Sequence, residues 1–437
     1  MDGKCKHPSL WQEEPQPEPC QALTGHQTAD VLVVGGGMAG ILCARYLQGA
    51  GISCIVAEGG RVGSGVTAKT TAKVTSQHGL IYSDLIKRRG IGAAALYYQA
   101  NQASVEEYRR LSQEISCDFE EKVAHIYSTN GRKELEAEEE AYRRLNIPGT
   151  LRREAQIPIS VAGALAMEGQ GQFHPLKFLY GAAKGLTIYE NTPVQSIRNG
   201  SVKTPNGSIN AKAVVLATHF PMINIPGLYF MKLYQSRSYV IALKGTPQPD
   251  GLYLDREDQG FSFRTHGEHL LLGGGDHKTG EPGGGWTSLR ALAASAYPNA
   301  VETHAWATQD CMSLDAAPYL GRLRAAGTAL YVATGFHKWG MTGSMTAARV
   351  LTELITTGRS DYEEVFSPKR SMLTAQLWIN LGSAAINLVR PARRCSHMGC
   401  ALRQNEAEGS WDCPCHGSRF DRQGRVLDNP AKRGLRG

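Results

Sequence analysis

The chain has 437 residues, of which 42% are hydrophobic, 20% are charged and 49 are glycine. These proportions suit a globular protein of two or three domains and exclude fibrous and disordered classes. The net charge is +7, and residues 390–437 hold ten Arg or Lys against five Asp or Glu. That basic tail suits an acidic partner, a membrane surface or plain solvation, and no nucleic-acid partner is expected.

No signal-peptide pattern opens the sequence, and SLWQEEPQPEPCQALTG (9–25) reads as an irregular, Pro-rich arm. Next comes ADVLVVGGGMAGILCARYLQGAGISCIVAE (29–58), a strand, turn, helix and strand. Gly35, Gly37 and Gly40 have the G-x-G-x-x-G spacing, which permits a tight turn, a close approach to a pyrophosphate and close helix–strand packing. The following helix aims its first amides at the phosphates. Glu58, 23 residues after Gly35, closes the second strand where an acid binds ribose hydroxyls.

Two helices follow. Residues 92–115 place Leu96, Ala100, Ala103, Tyr108, Leu111 and Ile115 on one face, and residues 131–146 form a charged helix whose Glu138–Glu140 cluster reads as solvated. TPVQSI (192–197), a VKTPNGS turn and NAKAVVLAT (210–218) form a hairpin feeding another buried strand. Between 233 and 275, short alternating runs broken by glycine predict an antiparallel sheet. ALYVATGFHKWGMTGSMTAARVLTELITTG (329–358) repeats the strand, glycine turn and helix.

Returning twice to a nucleotide domain resembles the D-amino-acid-oxidase-type flavin oxidoreductases. GRVGSGVTAKTTAK (60–73), GQFHPLKFLYGAAKG (171–185) and DAAPYLGRL (315–323) also resemble segments of that superfamily. The resemblance implies FAD, with Glu58 on the adenosine ribose, Val194 near the adenine and Thr218 also in contact. It further implies Gly335, Trp339, Gly340, Met341 and Thr342 around the flavin ring. Its antiparallel sheet roofs the flavin, making Arg237, Tyr239 and Arg264 candidate substrate contacts, with Lys69 and His337 nearer the flavin. Hydride transfer to flavin needs no protein base, so Lys69, Arg237, Tyr239 and His337 are candidates only and the catalytic residue is unassigned.

The apolar run 372–389 is interrupted by Gln376, Asn380 and Asn387. It reads as an amphipathic helix, with Leu373, Leu377, Leu381, Ala385 and Leu388 packed on a domain or lying on a membrane surface, rather than as a span. Cysteines 5, 20, 43, 54, 117 and 311 are scattered, without metal-ligand spacing. The other four lie in CSHMGC (395–400) and WDCPCHGSRF (411–420). Cys395-x-His397 and Cys413-x-x-His416 suit either tetrahedral zinc or a Rieske [2Fe–2S] cluster, and one Cys with one His per loop favours the cluster.

CSHMGC with CPCHGSRFD resembles the Rieske proteins of cytochrome bc and b6f complexes. That resemblance implies one iron on Cys395 and Cys413, the other on His397 and His416, and a disulfide between Cys400 and Cys415. The strands that should precede the first loop are missing, so the module reads as truncated.

The whole resembles a bacterial family that fuses such a flavin domain to a C-terminal Rieske module. The fold class is α/β, with a parallel-sheet FAD/NAD(P)-binding domain, an antiparallel-sheet substrate domain and a small β-rich Rieske-like module. The expected divisions are an arm (1–28), the oxidoreductase (29–365), a linker helix (366–392) and the Rieske module (393–437). FAD binding falls on 29–90, 170–220 and 312–360, and the substrate domain mainly on 91–169 and 221–311. The expected function is a cytoplasmic dehydrogenase of a small amine or amino acid, passing electrons through FAD and the cluster to a one-electron acceptor protein or a quinone. An oxygen-using oxidase with a vestigial cluster and a non-catalytic electron-transfer protein are the alternatives.

Overall fold

The computed structural model describes residues 7–198, 200–223, 227–257, 259–323 and 328–435; Cys5 lies outside them. The parallel sheet runs in the order Tyr319–Leu323, Ala329–Thr334, Gly207–Leu216, Gly25–Val34, Cys54–Ala57 and Thr187–Tyr189. Its first strand pairs antiparallel with the second, and the remaining neighbours pair parallel. Val31–Val34 and Ala213–Leu216 are buried, as expected of strands covered on both faces. The helices Met38–Gly49 and Gly340–Thr356 begin at the carboxyl ends of two of these strands and pack against each other.

The second sheet, antiparallel except where Leu252–Asp255 pairs parallel with Glu120–Ser128, contains the expected strands Leu233–Lys244, Leu252–Asp255, Ser262–His266 and His269–Lys278. Val301–Ser313 flanks them on one side, and Glu120–Ser128, Gly163–Gln172 and Lys73–Val74 on the other. The segment after the glycine loop therefore contributes an edge strand to the substrate sheet, and that edge strand brings Lys73 into it.

The irregular arm is strapped down: Trp11 is buried and donates from Nε1 to the Thr70 carbonyl (2.6 Å). Three sequence expectations are corrected. The helix expected over 92–115 spans Ile81–Leu111 with a break at Gly90. Its buried face keeps Ala100, Tyr108 and Leu111 and widens to Tyr97, Asn101 and Ser104, leaving Leu96 and Ala103 half-buried, because Asn101 and Ser104 satisfy their polar groups on carbonyls within the helix. Glu138 is buried rather than solvated, since it accepts from Tyr82 N and Ser83 N (both 2.8 Å) and so caps that helix's N-terminus.

The third correction concerns the helix Ala375–Val389, which turns Leu377, Asn380 and Asn387 inward while Leu373 and Leu388 of the expected stripe stay exposed. No helix among the described residues is long and apolar enough to cross a membrane.

Candidate functional site

Two glycine turns face each other at the carboxyl ends of the parallel strands. Gly35 has φ +111° and Gly40 lies in the first turn of the helix Met38–Gly49; a Cβ on Gly40 would lie 1.8 Å from the Gly35 carbonyl oxygen. A Cβ on Gly35 would lie 2.5 Å from the Ala217 carbonyl oxygen, so the turn also abuts the strand that ends at Thr218. Glu58 accepts from Gly36 N (2.6 Å) and Gly60 N (2.8 Å), holding its carboxylate at the loop. Thr192 N donates to the Glu58 carbonyl, which brings the buried Val194 segment to the same end.

On the second turn, Gly335, His337 and Lys338 all have positive φ (71°, 52° and 70°). Trp339 stacks on His78, with ring centroids 4.6 Å apart. His78 Nε2 donates to the Thr75 carbonyl and lies 2.9 Å from Thr342 Oγ1, while Tyr97 OH donates to Nδ1 (2.7 Å). Burial lowers the His78 pKa to about 3 and the His337 pKa to about 4, so both rings are neutral. His337 Nδ1 is buried with no hydrogen-bond partner among the described residues. Neither helix is capped by its own N-cap residue's side chain, although Met38 N of the first donates to Thr67 Oγ1 (3.1 Å). A helix N-terminus behind each turn, a glycine cradle, a ribose-length carboxylate and an orphaned imidazole nitrogen fit a bound dinucleotide flavin.

Beside the second turn lies a cavity of about 110 Å³, walled by both domains. Thr70, Thr71, Lys73, Trp339 and Met341 face Ser238, Tyr239, Asp276 and Asp310 across it. Lys338 Nζ pairs with Asp276 Oδ2. Burial lowers the Lys73 pKa to about 7, helped by Arg264, and raises that of Asp310 to about 6. Lys73, Asp276 and Asp310 escaped the sequence reading, since each sits in a strand without motif spacing.

The expected substrate contacts are placed differently. Arg237 is 1% exposed and donates from Nε and Nη2 to Glu408 of the terminal module (3.0 and 2.5 Å). Tyr239 lines the cavity, but its hydroxyl donates to Glu408 Oε1 and accepts from Asn405 Nδ2 (both 3.3 Å). Arg264 is buried under Trp11 and donates to the Thr71, Ala72 and Phe173 carbonyls, which makes it a brace for the flavin-side loop. Lys69 lies in a helical turn whose carbonyl accepts from Trp306 Nε1 (2.9 Å).

The two Cys-His loops come together at the end of the chain. Cys395 and Cys413 are in hydrogen-bonding contact, and the His397 and His416 ring centroids are 5.1 Å apart. The Cys400, Cys413 and Cys415 sulfurs lie within 4.8 Å of one another, and none of these cysteines is bridged. His416 Nε2 donates to the Phe230 carbonyl (2.9 Å), leaving its buried Nδ1 without a hydrogen-bond partner among the described residues. A metal-ligating imidazole has this arrangement, one nitrogen fixed by a carbonyl and the other free to bind. Burial lowers both imidazole pKa values to about 4, keeping them neutral as ligation requires.

The missing strands have a replacement. The module has four short antiparallel strands, Arg403–Asn405, Ser410–Asp412, Arg419–Phe420 and Val426–Asp428, and it docks directly on the flavin domain. Gln235 Nε2 donates to the His416 carbonyl (3.2 Å), Gln309 Nε2 to the Gly417 carbonyl (2.9 Å), and Asn429 Nδ2 to the Thr218 carbonyl (2.7 Å). A Cβ on Gly280 would lie 2.5 Å from Pro414 N, so the backbones are in close contact. The strand Leu233–Lys244 thus serves both domains.

Together the fold and the two sites define a two-domain flavin oxidoreductase carrying a Rieske-type iron–sulfur module. Residues 30–354 match the family of DAO, FAD dependent oxidoreductases, and residues 387–437 match the Rieske [2Fe-2S] domain. YhfW of Bacillus subtilis, a Rieske 2Fe-2S iron-sulfur protein by name, is 33% identical over 95% of this chain and 94% of its own. The structures of L-proline dehydrogenase from P. horikoshii and glycine oxidase from Geobacillus kaustophilus both superpose with TM-score 0.67. They are 19% and 21% identical, cover 80% and 79% of this chain, and are themselves covered to 98% and 100%. The chain belongs to the DAO family of FAD-dependent oxidoreductases, and its cofactors are FAD and a [2Fe–2S] cluster.

Proposed function

We propose that the chain is a dehydrogenase of a small amine or amino acid whose electrons leave through the Rieske cluster to an external one-electron carrier. The flavin supplies the two-electron oxidation of a C–H bond beside nitrogen, and the cluster supplies a one-electron exit. Gly35, Gly37, Gly40, Glu58, Val194 and Thr218 hold the nucleotide, and Gly335 with Trp339–Thr342 surrounds the ring. Cys395 and Cys413 hold one iron, His397 and His416 hold the other, and Cys400 and Cys415 pair as a disulfide. In the cavity, Asp276 and Asp310 face the cationic end of an amine, while Lys73 and Lys338 balance a carboxylate.

The observation that carries this reading is a continuous hydrogen-bonded path from the flavin-side turn to the cluster loop. Thr334 Oγ1 donates to the His219 carbonyl, His219 Nε2 donates to Gln235 Oε1 (3.0 Å), and Gln235 Nε2 donates to the His416 carbonyl. A vestigial module would have no need of such a join. Cys20, Cys43, Cys54, Cys117 and Cys311 are scattered along the sequence without the regular spacing of a disulfide framework, which supports a cytoplasmic location.

The test is the double variant Cys395→Ser with His416→Ala, reduced anaerobically by a panel of small amines and amino acids. Flavin bleaching should persist while turnover with a one-electron acceptor stops. Unchanged acceptor turnover would remove the cluster from the path.

A further inference from the structure

The helix Ala375–Val389 is built inside out. Its inward face carries Leu377 but is otherwise polar: Gln376 donates to Asn380 (3.0 Å), Lys278 Nζ donates to Ser383 Oγ (3.0 Å), and the Asn387 carbonyl accepts from Ala401 N (2.8 Å). Its outward face is apolar, with Trp378 66%, Ile379 58%, Ile386 61% and Val389 80% exposed, and Ala375 and Ala385 between them. Four large apolar side chains on one face of a fifteen-residue helix are a contiguous patch, unlike scattered surface hydrophobics.

From Lys369 to Asn405 there is no Asp or Glu, whereas Lys369, Arg390, Arg393 and Arg394 bracket the helix. We propose that this helix lies in the interface of an anionic lipid bilayer, apolar face down, with its flanking cations among the headgroups.

A lipid surface fits this face better than the other occupants. A second copy of the chain would set basic ends against basic ends with no acid between them, whichever way the two helices ran. A protein partner needs roughly one hydrogen bond per 100–200 Å² of interface, and the outward face has one indole N–H to give. A bilayer asks for none, and tryptophan suits its interfacial layer. The consequence is positional. Arg394 Nη1 donates to the Leu388 and Gly399 carbonyls (2.9 and 3.1 Å), tying the CSHMGC loop to the helix end. Docking the helix therefore holds the cluster loop at the membrane surface.

The test is co-sedimentation of the full chain, with its cofactors, on vesicles of phosphatidylglycerol mixed equally with phosphatidylcholine. The triple variant W378Q/I379Q/I386Q should lower partitioning by roughly 100-fold or more, since each buried side chain is worth about tenfold or better. Arg390→Gln should lower it about fivefold, on the anionic vesicles only. Flavin absorbance and substrate bleaching should not change in either variant, because the substituted side chains are solvent-exposed. Failure of the native chain to sediment, or equal sedimentation of the triple variant, overturns the proposal. So does equal affinity for pure phosphatidylcholine, or a vesicle-free dimer that the triple variant dissociates. None of these results bears on whether the cluster accepts electrons, which is read separately.

Discussion

Glu408→Gln tests whether the flavin domain is the Rieske module's platform. The Glu408 carboxylate is held on both oxygens by Arg237 (3.0 and 2.5 Å) and by Arg419 Nη2 (2.8 Å). Burial alone would raise its pKa; Arg237 and Arg419 overcome that and lower it to about 2 from 4.5. At 1.36 kcal/mol per pKa unit, the net stabilisation of the carboxylate, after its burial penalty, is about 3 kcal/mol. Removing one partner of a buried ion pair costs about 3–5 kcal/mol, which agrees. Gln keeps the shape and one acceptor, so the loss is mainly of charge.

The assay is urea unfolding followed by two signals, cluster absorbance for the module and flavin fluorescence for the larger domain. The cluster transition should lose about 3 kcal/mol while the flavin transition holds. Because the folded pKa is depressed, the contribution is complete above pH 4.5 and disappears as pH falls towards 2. Native and variant curves should therefore converge at the acid end. A loss below about 1 kcal/mol at neutral pH, the size of an exposed pair, would refute the reasoning.

Gly40→Ala should abolish FAD retention, because its Cβ would meet the Gly35 carbonyl at 1.8 Å and open the turn; the flavin-to-protein absorbance ratio after gel filtration measures it. Lys73→Met should flatten the limb of the substrate-reduction pH profile near pH 7, where burial places the ammonium's pKa. A profile unchanged by the substitution would leave Lys73 as a structural edge residue.

The cofactor motifs were legible because they are local. The glycine turn, Glu58 and the two Cys-His loops each lie within a few tens of residues, so spacing marks them and the family resemblance supplies which cofactor each holds. The platform was not, because it is made across the chain. Arg237 meets Glu408 from 171 residues away, and in a strand that pairing looks the same as a substrate contact. The same holds for Glu138, an acid in an acidic run whose role depends on the Tyr82 and Ser83 amides 56 and 55 residues upstream. The helix Ala375–Val389 was found, but its expected stripe does not mark one face: Leu377 is buried while Leu373 and Leu388 are exposed, because polar contacts of Asn380, Ser383 and Asn387 choose the side that faces protein.

The role of the cluster as electron exit is tested most directly by freeze-quench paramagnetic resonance on protein purified without oxygen, after mixing with a reducing amine or amino acid. The account predicts iron and acid-labile sulfide alongside FAD, and a reduced-cluster signal that grows in behind flavin bleaching with no acceptor added. A bleached flavin beside a cluster that stays oxidised, or zinc in place of iron, would contradict it.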